Sequence, residues 1–407
     1  MKLLAVTYGT EGDTRPVAAL CRALVDAGHD VRLLADASTL PFADRLGLST
    51  RPLAGNVRDA LTGIRLSDTP FVLTALANDH TTEWLDVVLE EAPGCDAIIV
   101  SGLAGFVGLS AAEATGIKII GAMLLPLTPT RQFPMPFFPI ALPKWLNPLS
   151  HTVLNNLVWG TMRKATNLAR RAHGLPPRGM VVWSGHPMAY GVSPALLPRP
   201  DDYPPNAWHT GQWVPPHNGY TPSAELAAFL AAGEKPIYVG FGSMAGFDPM
   251  LLHHVVAPAL GERRAIFSRG WSTVDTESLP PNIFLVDSVP HDWLLPHCAM
   301  AVHHGGSGTT HSACAAGVPS IILSFGFDQS FWARHMVQLG IADEVLDVHA
   351  VTREQLFAAI AFADGPRAQA RASELGLAMR QEDGLGVAVR LIERIAGAGE
   401  VAGHSMS

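Results

Sequence analysis

The sequence predicts an α/β protein made of two doubly wound domains that face a shared cleft. Three observations predict it. Short apolar runs alternate with helix-length amphipathic segments in both halves of the chain. A Pro-rich stretch interrupts that alternation near the middle. Several apolar runs end in Gly-containing turns that open into a helix. Alternation of this kind builds parallel βαβ units with helices on both faces of the sheet. Ligands of such sheets sit beyond the carboxyl ends of the strands, so two facing domains share one crevice.

The elements follow in order. Residues 3–8 form a continuous apolar strand, and the helix after it puts Val17, Leu20, Leu24 and Val25 on one face before stopping at Gly28. Residues 31–35 are the next strand, and strands at 97–100 and 117–123 flank a helix over 108–115. From 123 to 160 prolines break regular structure and Phe133, Phe137 and Phe138 lie among them. This segment reads equally as an apolar pocket wall or as a packed surface excursion. The Pro-rich stretch 194–222 is the linker candidate. Alternation then restarts, with strands at 237–241, 264–267, 283–286, 300–303 and 320–323 and helices over 224–232, 249–260, 329–339 and 355–362. Val387, Leu391 and Ile395 mark a last amphipathic helix. The expected division is an N-terminal domain over 1–205, a linker over 206–233, a C-terminal domain over 234–380, and a final helix within 381–407 that packs back on the N-terminal domain.

Composition narrows the function. The 407 residues are 48% hydrophobic and 16% charged, too apolar for a disordered chain. Lys plus Arg is 28 and Asp plus Glu is 36, a net charge of −8, and no Lys/Arg-rich block offers a nucleic-acid stripe. The four cysteines form no CxxC pair, so neither a disulfide framework nor a zinc motif is expected. No run of 18 apolar residues suggests a membrane span, and the N-terminal run reads as a buried strand, not a signal peptide. A cytoplasmic protein, monomer or homodimer, is expected.

The strongest motif is His303-His304-Gly305-Gly306-Ser307-Gly308-Thr309-Thr310, between an apolar strand and a helix. A helix start exposes unpaired N–H groups and the positive end of the dipole, and glycines let a diphosphate approach the backbone. Ser307, Thr309 and Thr310 add hydroxyls, and His304 can donate to a phosphate oxygen. The bland alternative is a capped Gly-rich turn. Asp328-Gln329 stands at another strand-to-helix junction, where a carboxylate beside an amide suits adjacent sugar hydroxyls; alternatively Asp328 only caps its helix. In Gly9-Thr10-Glu11-Gly12-Asp13, Asp13 is a candidate general base, Glu11 the rival, and an N-terminal cap the alternative. The glycines are spaced GxxG, which argues against a dinucleotide fingerprint. Ser243, after the strand at 237–241, can touch a phosphate or serve only a turn; Arg269-Gly270-Trp271 and Val289-Pro290-His291 close two later strands near where a base can stack. Asp201-Asp202 reads as a solvated turn in the linker, and no carboxylate pair suited to a metal is visible.

Taken in order, GTEGDTRP, GFGSM, SRGW, VPHDWLLPHC, HHGGSGTT and FDQSFWA resemble the GT-B glycosyltransferases that use nucleotide sugars, and within them the bacterial natural-product and sterol branch of the UDP-glycosyltransferase superfamily. The resemblance spans almost the whole chain. It implies an acceptor-binding N-terminal domain with Gly12, Phe133, Phe137 and Phe138 near the acceptor, and Asp13 at the catalytic position, where plant members place His and glycopeptide and sterol members Asp. It puts Ser243, His304, Ser307, Gly308 and Thr309 on the diphosphate, Asp328 and Gln329 on the donor sugar, and Val289 and Trp271 near the nucleobase. Ser288 and His291 stand where plant members have a uracil-stacking Trp and a Gln, so UDP and dTDP remain equal expectations. The implied chemistry is inverting, metal-independent hexose transfer to an apolar hydroxylated small molecule, with no resident cofactor. A nucleotide-sugar epimerase of the same fold and a non-catalytic helper protein are the alternatives.

Overall fold

The computed structural model describes residues 1–64, 68–138, 140, 142–180, 185–214, 220–242, 249–270, 279–287 and 289–397. Among them lie two all-parallel sheets. The first contains β1 (Lys2–Tyr8), β2 (Asp30–Asp36), β3 (Ser49–Leu53), β4 (Ala97–Gly102), β5 (Lys118–Met123), β6 (Met188–Tyr190) and β7 (Ala207–His209), in the order β3-β2-β1-β4-β5-β6-β7. The second contains β8 (Ile237–Gly240), β9 (Ala265–Ser268), β10 (Ile283–Val286), β11 (Met300–His303), β12 (Ser320–Ser324) and β13 (Leu346–Asp347), in the order β10-β9-β8-β11-β12-β13. Each sheet reverses direction of growth beside its first strand, between β1 and β4 and between β8 and β11. Pairing runs to Tyr8↔Gly102 in one domain and His303↔Gly240 in the other. The carboxyl ends at both switch points are therefore level, which is where a crevice opens.

The continuous apolar runs are explained by burial on both faces. Leu4, Val6, Ile98 and Val100 point into one core with Trp84, while Leu3, Ala5 and Ile99 point into another with Leu20 and Leu24. Alternate residues of a strand face opposite sides, so a strand covered twice has no polar face. The second domain repeats the scheme, with Val239, Val302 and Leu323 on one side and Tyr238, Ile266 and Ala301 on the other.

Three features depart from the periodicity reading. Helices Thr69–Glu91 and Asn147–Ala172 were not anticipated; they pack together, and the Asn78 amide donates to the Thr161 carbonyl at 3.0 Å. The second begins inside the Pro-rich segment, with Pro148 in its first turn, where a missing N–H costs nothing. The first sheet also extends through β6 and β7, so strand pairing continues past residue 205 into the expected linker.

Helix Gly384–Gly397 lies on the N-terminal domain, where Ala388, Leu391 and Ile392 join the core of Leu20 and Leu24. Lys118 Nζ donates to the last carbonyls, Ile395 at 3.1 Å and Ala396 at 2.9 Å, offsetting the negative helix end. The domains also share an apolar cluster in which Met188, Tyr190 and Leu196 meet Phe331, Trp332 and Met336. His311 bridges them: Nδ1 donates to the Ser307 carbonyl at 2.7 Å, and Nε2 accepts from the Ser193 N–H at 3.3 Å.

Candidate active site

The C-terminal half of the site grows from the end of β11. Gly305 has φ of 88°, and a Cβ there would sit 2.6 Å from Ile322 Cγ2, so glycine is required on two counts. Helix Ser307–Ala316 follows with Gly306 as its N-cap and no side chain capping it. Its first turn is thus left without the usual side-chain acceptor, the arrangement that receives anions. Gly308 is exposed, and a Cβ added to it would meet nothing within 4 Å. The His304 ring is wedged between two glycines: a Cβ on Gly306 would overlap Nε2, and one on Gly242 would come within 3.2 Å of Cε1. His304 Nδ1 is buried without a hydrogen-bond partner. Burial holds this imidazole down to about pKa 4, with His291 adding to the effect and the Gly240 carbonyl opposing it. His304 is therefore neutral at pH 7.

Side chains beside this turn are partly committed elsewhere. Ser307 Oγ donates to the Leu124 carbonyl at the end of β5, 3.0 Å away, and so latches the domains together instead of offering its hydroxyl. Thr309 and Thr310 are buried, which leaves backbone more than hydroxyls facing out. Asp328 is pushed up to about 7, chiefly by desolvation and also by repulsion from Asp13, against hydrogen bonds that include the Ser307 N–H. Asp328 is thus within reach of both the anion-ready helix start and the charge of Asp13 in the other domain. The turn that presents it includes Phe327 at φ of 57°, a left-handed conformation for a bulky residue. Gln329 is buried, and its Oε1 accepts from the Phe325 N–H at 2.7 Å, so this amide braces the same turn.

The N-terminal half sits at the end of β1. Thr10 caps helix Glu11–Asp26, and Asp13 answers in a capping box: its Oδ2 accepts from the Thr10 N–H at 2.8 Å and the Thr10 hydroxyl at 3.2 Å. Gly9 makes room, since a Cβ there would overlap Asp13 Oδ2. The capping reading of Asp13 is therefore realised through Oδ2, while Oδ1 is not used by Thr10 and the carboxylate is close enough to Asp328 to raise it by repulsion. Desolvation raises its pKa and the Thr10 bonds oppose that. Glu11 is instead paired with Arg15 at 2.5 Å. Arg15 also reaches toward the C-terminal domain, where its charge helps lower His291 after burial has done so.

Other expected residues are distributed as follows. Gly12 is exposed at the helix start, its N–H on Thr10 Oγ1 at 3.3 Å. Phe133 packs edge-on against Phe331 of the other domain, 5.3 Å between ring centres, in the inter-domain cluster. Phe138 is half-buried and its carbonyl accepts from Arg334 at 3.1 Å; Phe137 is exposed. The structure does not gather these three rings into one wall. Val289 packs beside Trp293 on the second domain's core. Ser243, Trp271 and Ser288 lie outside the described residues. Asp202 is no idle turn: it accepts from the Thr130 hydroxyl at 2.5 Å and the Arg131 N–H at 2.7 Å, tying down the loop before helix Asn147–Ala172. Sequence reasoning missed the Leu124 carbonyl, Arg15 and His311, whose roles depend on contacts between distant segments and leave no local signal.

Residues 267–383 match the family described as erythromycin biosynthesis protein CIII-like, C-terminal domain. Two Arabidopsis thaliana sterol 3-beta-glucosyltransferases are similar along nearly the whole chain: UGT80A2 at 32% identity over 96% of this chain and 65% of its own length, and UGT80B1 at 30% over 97% and 68%. A sterol 3-beta-glucosyltransferase of Neurospora crassa is 32% identical over 97% of this chain and 27% of its own. The chain therefore spans about two thirds of the plant relatives and under a third of the fungal one. Among solved structures, the glycotransferase of kitacinnamycin superposes with a TM-score of 0.72 at 21% identity, covering 97% of this chain and 98% of that one. The glycosyltransferase VinC, solved with dTDP, gives 0.67 at 19%, covering 98% and 100%.

Proposed function

Because the chain belongs to the UDP-glycosyltransferase superfamily and has its two-domain GT-B fold, we propose that it is an inverting glycosyltransferase moving a hexose from a UDP- or dTDP-sugar to a hydroxyl of an apolar small molecule. One observation carries the reading: an uncapped helix start with a buried, unpartnered His304 Nδ1 lies on the same domain as Asp328, and Asp328 is raised by the desolvated Asp13 of the other domain. The diphosphate takes the first turn of helix Ser307–Ala316 and the His304 N–H. Asp328 and Gln329 take the sugar hydroxyls.

The acceptor O–H gives its proton to Asp13, whose Oδ1 is the oxygen not engaged by Thr10. The freed oxygen bonds to the anomeric carbon while the bond from that carbon to the diphosphate oxygen breaks, and its electron pair leaves on the diphosphate. Base and leaving group stand on opposite domains, so attack comes from the far face and configuration inverts. A carboxylate raised by desolvation is a stronger base than an exposed one, and a placed base contributes roughly 10²–10⁴ in rate. Negative charge builds on the leaving oxygens where backbone N–H groups and His304 wait, and preorganised donors of this kind commonly contribute more to the rate than any other single effect. The acceptor class is supported by the similarity to two sterol 3-beta-glucosyltransferases.

A donor and acceptor screen read by mass spectrometry tests this. One hexose mass added to an apolar acceptor, with product of inverted anomeric configuration, is the expected result. An altered donor in the absence of any acceptor would instead identify an epimerase.

A further inference from the structure

We infer that the outer face of helix Asn147–Ala172, with Trp145 just ahead of it, is a docking surface for an anionic lipid bilayer. Between Glu113 and Asp201 the sequence contains nine Lys or Arg and not one Asp or Glu, in a chain whose net charge is −8. Four of the nine are spent inside the protein. Arg170 and Arg178 pair with Glu113 at 2.9 and 2.6 Å, Lys118 binds helix-end carbonyls, and Arg199 binds those of Ala207 and Pro204. Of the other five, Arg131 lies within electrostatic reach of Asp202, and Lys144, Arg163, Lys164 and Arg171 are exposed and make no ion pair among the described residues.

Apolar side chains share that exposure. Trp145 is 74% exposed and Leu157 62%, and Leu149, Val153 and Leu168 are each more than half exposed. At about 100° per residue, Leu149, Val153, Leu157, Lys164, Leu168 and Arg171 fall within roughly 100° of arc. The opposite face carries the buried Trp159, Met162 and Arg170, so this stripe is not core left uncovered by the domain itself. Apolar residues and cations interleaved on one helix face, with Trp at the end, are what an interfacial helix presents to headgroups. A second copy of the chain is a poorer occupant, because a two-fold contact would set the four unpaired cations against themselves. A bilayer supplies both complements at once, acyl boundary for the Leu/Val/Trp row and phosphate for the cations.

The bulk of the chain is anionic and is repelled by the same surface, so binding orients the molecule with this face down. Acidic residues near the patch lie on the adjoining helix Thr69–Glu91, and there Asp86 is already held by His173 at 2.7 Å. The patch is joined to the crevice. His151, on the inner side of the helix, lies 3.2 Å from both the Leu127 and Phe133 carbonyls, and Phe133 packs on Phe331 of the opposite domain. A docked molecule thus holds its domain junction close to the bilayer. This inference stands on the surface alone and does not depend on the transfer chemistry.

Co-sedimentation of the full chain with phosphatidylcholine vesicles, and with vesicles containing about 30% phosphatidylglycerol, tests it. Binding is expected to the anionic vesicles and to weaken by roughly fivefold for each cation reversed in Lys144→Glu and Lys164→Glu. Val153→Asp with Leu157→Asp is expected to lower binding by at least about tenfold while the melting temperature and nucleotide affinity stay unchanged, since both positions are exposed. Failure to sediment with anionic vesicles, equal sedimentation of the Asp variant, or a dimer that the Asp variant dissociates would each overturn the proposal.

Discussion

At the scale of single residues, Asp13 and His304 carry opposite burdens. Asn at position 13 keeps an oxygen for the Thr10 N–H, so the cap survives in Asp13→Asn while the base is lost. The expected outcome is a turnover rate lower by about 10²–10⁴ with donor affinity unchanged, read by single-turnover kinetics and calorimetry. Full activity would move the base elsewhere, Glu11 being engaged by Arg15. His304 starts neutral, near pKa 4. An arriving diphosphate favours the imidazolium, so its pKa rises on binding. Donor binding should take up protons and strengthen as pH falls from about 8 to 6, visible as buffer-dependent calorimetric enthalpies; His304→Gln should reduce that dependence to the share left by Asp328, which titrates at about 7. These two residues were legible in the sequence because each sits beside a strand end and a helix start, where glycines advertise a close approach. Ser307 was legible only in part: its place at the helix start shows in the sequence, but its hydroxyl donates to the Leu124 carbonyl, far away in the chain.

At the scale of elements, the helix Ser307–Ala316 separates stability from binding. Gly308→Ala should stabilise the fold by about 0.4–1 kcal/mol, because the site is helical and a Cβ there meets nothing. If the diphosphate takes this helix start as proposed, the same methyl obstructs it, so nucleotide affinity should drop by roughly tenfold while the melting temperature rises. A fall in both would mean the glycine serves the fold alone. Gly306→Ala should lose binding through His304, which it displaces. The strands were readable from their unbroken apolar runs. The helix Asn147–Ala172 was not, because its prolines cluster at the entry and its outer face is apolar, which blurs the period of 3.6. β6 and β7 are three residues each, too short to show a period at all.

At the scale of the whole molecule, buried histidines govern the response to acid. Burial depresses His209, His291, His304 and His311 to about 4 and His303 further. These groups bind protons in the unfolded chain between about pH 6.5 and 4 but not in the native one. Stability is therefore lost as pH falls through that window. Asp328, raised to about 7, and Asp13, also raised, act the other way, their stabilising share fading as pH climbs above about 4, but two such carboxylates are outnumbered. Melting temperature should fall steadily from about pH 6.5 to 4; a flat profile would mean the histidines are hydrated. The last helix closes the molecule: Ile392 is fully buried on the N-terminal core, and Ile392→Ala should cost about 2–5 kcal/mol in denaturant unfolding.

The sequence by itself determined the two parallel α/β units and the glycine turns that join strand ends to helix starts, because strand period, helix starts and glycine turns are written over a few adjacent residues. Only the tertiary structure decided that Asp13 repels Asp328, that Ser307 latches onto Leu124, that Phe133 belongs to the domain junction, and that the acid-free helix turns its apolar row outward. Each of those is a distance between segments far apart in the chain, fixed by how two sheets and their helices pack, and no local pattern of residues records it.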